Sequence, residues 1–474
     1  VALRRVSSYF LFPEKKLMAE VTAKQPTDYT EGSVVGSILK MGLPSMFGFL
    51  AQHIYAMADM YWVSHLPGAE SGVAAITFFN NLMWMLFAFN SLVGPGSVAV
   101  ISRRYGEKAY DQAEKAIKET LLLKLFFGGA LGIVGLLFLP QMLQVLGAEE
   151  ETLALGTSYG RIILFGLPIM YATYSVFTAL RGIANPKWAM ALMIGSNILN
   201  LSLDPIFIFG YLGLPAFGID GAAYASVLSF CLTFTIGIIL FRTRYTNVRL
   251  HLIGRVPVSI SSMWTIVKIG IPAWLGELSF SSSRLLITPI VASFGTAVVA
   301  AYGVGMQVFS FGIMLLVGIG LGLSSLIGHN LGGNKPERAK QTADRALVLG
   351  IGLMTVLGVI SFIFAELYMS LFFENPETIA CGVELIRIGA IAFPFWGLFI
   401  MLEQIHSGVG LNMPMMIVSA IHSWGLQVAP ALLVTQVLGM NQTAVWWVLT
   451  MAGVVTSTCF YAYYRRGRWL THKV

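Results

Sequence analysis

Apolar runs of about 20 residues recur along the whole chain, and a helical run of that length crosses about 30 Å of hydrocarbon. No other feature of the 474 residues constrains the fold as strongly. Charged residues make up 11% of the chain and hydrophobic ones 56%, where a soluble domain carries roughly 25% charged residues. The mean hydropathy is +0.74. The chain therefore reads as an all-α polytopic membrane protein. Length and apolarity, rather than amphipathic period, carry this reading. Twelve transmembrane helices are expected, near 35–62, 74–100, 117–146, 158–182, 187–211 and 219–241, then 262–290, 297–327, 342–372, 384–408, 412–438 and 443–464.

The net charge of +7 resides mostly in alternate loops. Arg103, Arg104, Lys108, Lys115 and Lys118 follow span 2. Arg242, Arg244, Arg249 and Arg255 follow span 6, and Lys335, Arg338, Lys340 and Arg345 follow span 8. The head (Arg4, Arg5, Lys15, Lys16, Lys24, Lys40) and the tail (Arg465, Arg466, Arg468, Lys473) are basic too. The remaining loops read HLPGAESG, GAEEET and ENPE. Lys and Arg mark the inner side, so both termini are expected to be cytoplasmic in a plasma (inner) membrane protein. The basic excess is then topological, and no nucleic-acid partner is expected. Cys231, Cys381 and Cys459 are scattered and offer neither a disulfide framework nor metal-ligand spacing. VALRRVSSYFLF at the head is basic but lacks a long apolar core or a cleavage site. Residues 1–34 are expected to form a flexible or surface-lying extension, with Met18 a candidate start.

The chain is an internal repeat. ILKMGLP at 38–44 recurs as IVKIGIP at 266–272, ISRRYGEKAYDQAEKA at 101–116 aligns with IGHNLGGNKPERAKQT at 327–342, and FGLP at 165–168 aligns with IAFP at 391–394. Arg161 falls opposite Arg387. Each half starts and ends on the same side, so the two are expected to be six-helix lobes related by a pseudo-twofold along the membrane normal, a plan that places a transport site between them. The expected divisions are an extension at 1–34, a lobe at 35–241, a cytoplasmic linker at 242–261, a second lobe at 262–465 and a tail at 466–474.

Several stretches resemble the multidrug and toxic compound extrusion family: GLPSMFGFLAQHIYAMADMYWVSHL in span 1, ALRGIANPKWAMALMIGSNILNLSLDPIFIFG across spans 4 and 5, GIDGAAYAS opening span 6, IPAWLGELSFSSSRLL in span 7, and HNLGGNKPERA. The resemblance covers nearly the whole chain. The major facilitator fold shares the 6+6 plan, but its usual Gly…Asp-Arg…Gly-Arg pattern is missing after span 2.

Four acids lie well inside spans: Asp59, Asp204, Glu277 and Glu403. An ionised side chain at bilayer depth costs about 2.5–3.5 kcal/mol on insertion scales, so each needs a partner, a wet cavity or a proton. Asn197, Asn200 and Asp204 share one helix face, and Pro205 frees the Leu201 carbonyl. That oxygen-rich patch suits a Na⁺ ion or a titrating carboxyl. It equally suits a structural network that glues helices. Gln52, Tyr55 or Ala56, and Asp59 line one face of span 1 beyond Pro44. Neither Asp59 nor Asp204 has an acidic counterpart in the second half: span 7 reads SSSRLLI and span 11 WGLQVAPAL at the matching places. In many prokaryotic members of the family an Asp in span 1 and an Asn…Asp pair in span 5 form the cation-coupling site. The resemblance thus implies a proton or Na⁺ site at Asp59, Asn200 and Asp204, with Asn197 beside it. Two such carboxylates titrate as a coupled pair.

Glu277 carries Ser281 and Arg284 at i+4 and i+7. It either neutralises Arg284 or, as in some family branches, serves coupling or cationic substrate. Glu403, with His406 and Ser407 nearby, is expected to be structural. The seven histidines lack zinc-ligand spacing, and HNLGGN lacks the GKS or GKT of a phosphate loop. In FFNNLMWMLFAFN at 78–90, Asn80, Asn81 and Asn90 stand out of an apolar, aromatic run that suits either lipid packing or a permissive drug site. No catalytic residues and no cofactor are expected. The expected function is a monomeric secondary exporter that exchanges Na⁺ or H⁺ for an organic, cationic, lipophilic substrate by rocker-switch alternating access. The alternatives are a flippase for lipid-linked saccharides, which would show more spans and a cationic cavity, and a membrane-embedded enzyme, for which the spans hold no paired catalytic motif.

Overall fold

The computed structural model describes residues 28–472 apart from 64–65, 67–68, 149, 244 and 252–256; the side chains of 53–61 and 69–70 also lie outside the description. Among the described residues there are helices and turns but no strand. In hydrocarbon every backbone N–H and C=O must be satisfied within its own segment, and a helix does this.

The first half comprises α1 (Val34–Val63), α2 (Ala69–Ala88), α3 (Gly94–Gly106), α4 (Tyr110–Val145), α5 (Glu150–Gly182), α6 (Pro186–Phe209) and α7 (Ile219–Arg242). The second comprises α8 (Ile260–Ala292), α9 (Thr296–Gly332), α10 (Pro336–Ile363), the short α11 (Ala365–Ser370), α12 (Pro376–Ala390), α13 (Phe393–Val409), α14 (Met413–Ala420), α15 (Ala429–Leu432) and α16 (Gln442–Tyr464). Ten stretches are long and apolar enough to cross a membrane one by one, and α12 with α13, bent by 54°, adds an eleventh. The twelfth is α8, 33 residues long, whose apolar run is interrupted by Lys268, Glu277 and Arg284. The result is an all-α membrane protein of twelve helical spans.

Three spans are not single helices. A 3₁₀ turn at Phe89–Leu92 separates α2 from α3, with Pro95 just inside α3. Pro394 stands at the start of α13, beyond its bend. Span 11 combines α14, a π-helical stretch Ile421–Val428, α15 and a second π-helical stretch Leu433–Val437. The first two breaks follow from proline, which cannot donate a backbone hydrogen bond and clashes with the preceding turn.

The turn at Phe89–Leu92 leaves backbone carbonyls without helical donors. Lys124, 2% exposed in the middle of α4, answers this. Its Nζ donates to the Asn90 carbonyl at 2.6 Å and also to Asn90 Oδ1, and it lies 5.6 Å from the centre of the Tyr171 ring. Among the described residues no carboxylate pairs with it.

The two halves meet where side chains are missing. A Cβ added at Gly96 would lie 2.1 Å from the Ile266 carbonyl oxygen, and one at Gly270 would lie 1.9 Å from that of Leu92, so α3 and its preceding turn touch α8 backbone to backbone. The related pair is α1 with α9: a Cβ at Gly322 would lie 2.5 Å from the Met41 carbonyl, and one at Gly318 2.4 Å from Met46 Cα. Between these, α3 crosses α9, with Gly106 against the His329 carbonyl and Gly332 against that of Arg103. All these contacts lie in the parts of α1, α3, α8 and α9 that lead to the basic loops. The halves are therefore clasped at their basic end. Pro44 sits inside this clasp, flanked by Gly42 against Ile319 and Met46 against Gly318.

Gly96→Ala should lower the melting temperature, because the added carbon needs room that the α8 backbone occupies, at about 1–3 kcal/mol. Gly129→Ala, with open space around it, should be neutral or stabilising by up to roughly 1 kcal/mol through helix propensity. Equal responses would mean that the close approach does not hold the halves together. Lys124→Met should also destabilise, by about 1–3 kcal/mol, because it leaves Asn90 Oδ1 without its donor, the Asn90 carbonyl keeping only the Val93 N–H. A Lys124→Met variant as thermostable as its parent would show that the break stands without the lysine.

Candidate functional site

Asp204 is fully buried and Asn200 nearly so, one turn apart on α6. The Asn200 amide is oriented by its neighbours. Its nitrogen donates to Asp204 Oδ2 at 3.0 Å, and its oxygen accepts from Ser226 N at 3.0 Å and Ser226 Oγ at 3.2 Å. Ser226 belongs to α7, which runs antiparallel to α6 and comes close enough for Gly221 to touch the Phe207 carbonyl. A single amide thus ties the carboxylate to a second helix.

The polar face continues toward the basic end. Asn197 is half-buried, and its Nδ2 has no hydrogen-bond partner among the described residues. Ser229 and Thr233 follow Ser226 at i+3 and i+7 on α7, and both are buried with unpartnered hydroxyls. Ser175 on α5 is a further buried, unpartnered hydroxyl. A buried group left this way costs about 1–3 kcal/mol, so four of them in one lobe are a considerable concession of stability. The α7 residues escaped the sequence reading. Their signal was present as S…S…T at i, i+3, i+7 in GAAYASVLSFCLTFT. Isolated hydroxyls are common in spans, however, and usually bond their own helix. Lys124 escaped too, since the search for buried charge followed the acids.

Tyr55 and Asp59 have side chains outside the description, but the backbone of α1 fixes their level. Near the basic end, a Cβ at Gly48 would meet Met193 Sδ at 2.9 Å. Near the other end, Trp62 and Phe209 pack edge to face at 6.3 Å. These two contacts bracket α1 against α6 with nearly constant register, so position 59 falls level with 204–206. Gln52, lower on α1, donates through Nε2 to the Tyr174 hydroxyl of α5, and the Tyr174 ring packs on Phe87 at 4.9 Å.

The other sequence candidates lie apart. Asn80 and Asn81 are exposed on α2, whereas Asn90 receives Lys124. Glu277 is half-buried on α8 and Arg284 is exposed, and no ion pair joins them. Glu277 lies near enough to both Arg284 and Glu403 of α13 to interact with each electrostatically. Arg284 thus acts on Glu277 through space rather than by a direct ion pair. His406 does not engage Glu403 either: its Nδ1 contacts the Leu402 carbonyl at 2.7 Å. An aromatic cluster occupies the same lobe, with Phe280 packed on Phe399 at 5.7 Å and on His422 at 5.3 Å. Among the described residues no three His, Cys, Asp or Glu side chains form a metal-binding group.

Comparison with known proteins bears on the fold and the family. A family model described as MatE matches residues 44–206 and 272–433, once in each half. The "Probable multidrug resistance protein YoeA" of Bacillus subtilis (strain 168) is 26% identical over 425 residues, covering 89% of this chain and 92% of that protein. The "Multidrug export protein MepA" of Staphylococcus haemolyticus (strain JCSC1435) is 26% identical over 454 residues, covering 94% and 97%. Among solved structures, one described as an "outward-facing conformation of a multidrug resistance MATE family transporter of the MOP superfamily" has a TM-score of 0.84 at 23% identity, covering 94% of this chain and 98% of that one. A MOP superfamily transporter from Pyrococcus furiosus, described as having a binding pocket of reversed polarity, has a TM-score of 0.85 at 23% identity with the same coverage. The chain, with its twelve helical spans and doubly matched repeat, belongs to the MatE family of multidrug and toxic compound extrusion transporters, and is a transporter rather than an enzyme.

Proposed function

We propose that the protein is a secondary active multidrug exporter of the plasma membrane, which exchanges Na⁺ or H⁺ for organic, cationic, lipophilic substrates. The observation that carries this reading is Asp204, fully buried, held by Asn200, and level with position 59 of α1. A charged carboxylate at this depth is costly, and a proton or a cation that neutralises it removes that cost. Loading and release then favour different facings of the two lobes. To move the lobes from 1:99 to 99:1, the ion must bind the two facings with about 5.5 kcal/mol difference.

The positive-inside pattern supports a cytoplasmic basic end. The clasp at that end then makes this arrangement outward-facing. In the rocker-switch cycle, export requires the glycine contacts to part and the opposite ends to close. The file of Asn197, Ser229 and Thr233 runs from Asp204 toward the basic end and gives the released ion a polar way in. The hydrogen bonds of Asn200 bear on the choice of ion. With the amide oxygen held by Ser226, Asp204 faces an N–H donor, which suits a carboxyl that exchanges a proton. A Na⁺ ion taking the Asn200 oxygen would require the amide to turn over and release Ser226. Glu277 and Glu403, close together in the other lobe, supply negative charge for a cationic substrate.

The test is dye efflux from proteoliposomes under separately imposed Na⁺ and H⁺ gradients. Asp204→Asn should abolish gradient-driven efflux while the protein stays folded, since it removes the titratable charge and keeps the shape. A well-folded Asp204→Asn variant with near-normal efflux would refute the assignment. Asp59→Asn should show the same defect, and the double variant should be little worse than either single one, because residues acting as one unit are non-additive. Additive losses would assign the two acids separate tasks.

A further inference from the structure

Arg161 is an exception to the positive-inside pattern. It lies on α5 toward the end opposite the basic loops, and among the described residues it makes no ion pair or hydrogen bond. It lines a cleft of about 490 Å³ between α4, α5 and α7, together with Glu150, Thr157, Ser158, Asp220 and Tyr224. That volume is in the range of small-molecule sites, roughly 300–1,000 Å³.

The cleft carries both signs of charge, and its acid is incompletely satisfied. Ser158 Oγ donates to Asp220 Oδ2 at 2.6 Å, while Asp220 Oδ1 is buried with no partner among the described residues. Arg161 and Asp220 share the cleft without bonding one another. A free cation would meet Arg161, and an anion would meet Asp220 and Glu150. A zwitterion with separated ends satisfies both. The half-buried Asp220 carboxylate and that of Glu150 line the cleft and accept hydrogen bonds, so the positive end should bear N–H groups; a quaternary ammonium has none.

The surroundings indicate where that zwitterion comes from. Phe165, one turn beyond Arg161 on α5, is 80% exposed, and Leu137 and Phe138 of α4 are exposed nearby. Phe165 lies on the membrane-centre side of Arg161, while the contacts of Gly160 with Leu139 and of Gly135 with Leu164 put Leu137 and Phe138 at about the level of Arg161. Helical side chains lean toward the helix N-terminus, so Arg161 leans toward the membrane surface and the headgroup layer.

We propose that this cleft is a binding site for an aminophospholipid headgroup, with the ammonium on Asp220 and Glu150, the phosphate on Arg161, and the acyl chains along Phe165, Leu137 and Phe138. The site is separate from the coupling residues and does not depend on which ion drives transport.

The experiment is a titration of the full chain in detergent micelles with dioleoyl phosphatidylethanolamine, phosphatidylcholine or phosphatidylglycerol, read by native mass spectrometry and by melting temperature. Phosphatidylethanolamine should bind at least about tenfold more tightly than the other two. Arg161→Gln, at an exposed position, should bring it to the phosphatidylcholine level without altering the unliganded melting temperature. Asp220→Asn should do the same; if it fails to fold, Arg161→Gln alone decides. Equal binding of the three lipids, or a preference that survives Arg161→Gln, would overturn the proposal. So would water-soluble phosphoethanolamine binding as tightly as the lipid, because the site would then hold a small zwitterion rather than a membrane component.

Discussion

Two helix backbones can approach within touching distance only where at least one of them carries no side chain. The arrangement of this molecule depends on that at one level. Gly96 and Gly270 join α3 to α8, Gly318 and Gly322 join α9 to α1, and Gly106 and Gly332 settle α3 on α9. Hydrocarbon offers no hydrophobic drive for helices to associate, so packing and interhelical polar bonds must supply it. Small residues give the closest packing. Between the halves they are concentrated at the basic end, and among the described residues no such contact joins the far ends.

The polar interior follows a different logic in each half. In the first, Asp204 is served by an amide and a second helix, and buried hydroxyls continue from it toward the basic end. In the second, the matching span has no acid and is partly π-helical, and its negative charge sits instead as two neighbouring glutamates on α8 and α13. A repeated fold has thus been given two unlike polar sites. One is buried and pre-arranged by hydrogen bonds; the other is bordered by aromatic rings and holds glutamates on two different helices.

The repeat and the twelve spans were readable because hydropathy and self-similarity extend over hundreds of residues. The breaks were less so. Hydropathy runs unbroken through FNSLVGPG and IAFPFW, yet α2 gives way to α3 in one and α12 bends into α13 in the other; the prolines were visible, but their effect depends on neighbouring helices. Asn200 and Asp204 were legible as a pair since they lie one turn apart on one helix. Ser226, which completes their network, was not, because only packing brings α7 to them. Lys124 is understandable only beside the broken helix whose carbonyl it takes. The level of position 59 came from contacts at Gly48 and Trp62, which no periodicity reveals, and its side chain lies outside the description.

The short segment ahead of α1 has its own consequence. Arg338 donates to the backbone carbonyls of Gly32 and Glu31 at 3.0 and 2.8 Å, and Lys335 donates to the Thr30 hydroxyl at 2.8 Å. The start of the first half is therefore fastened to a loop of the second. The basic end then has two fastenings of different chemistry. Backbone contact at glycine is indifferent to dissolved salt, whereas the strap includes the ion pair of Lys335 with Glu31 at 3.7 Å, which weakens as ions screen it over about 8 Å at physiological ionic strength. The ease with which this end parts is thereby tied to the ionic strength of the water it faces.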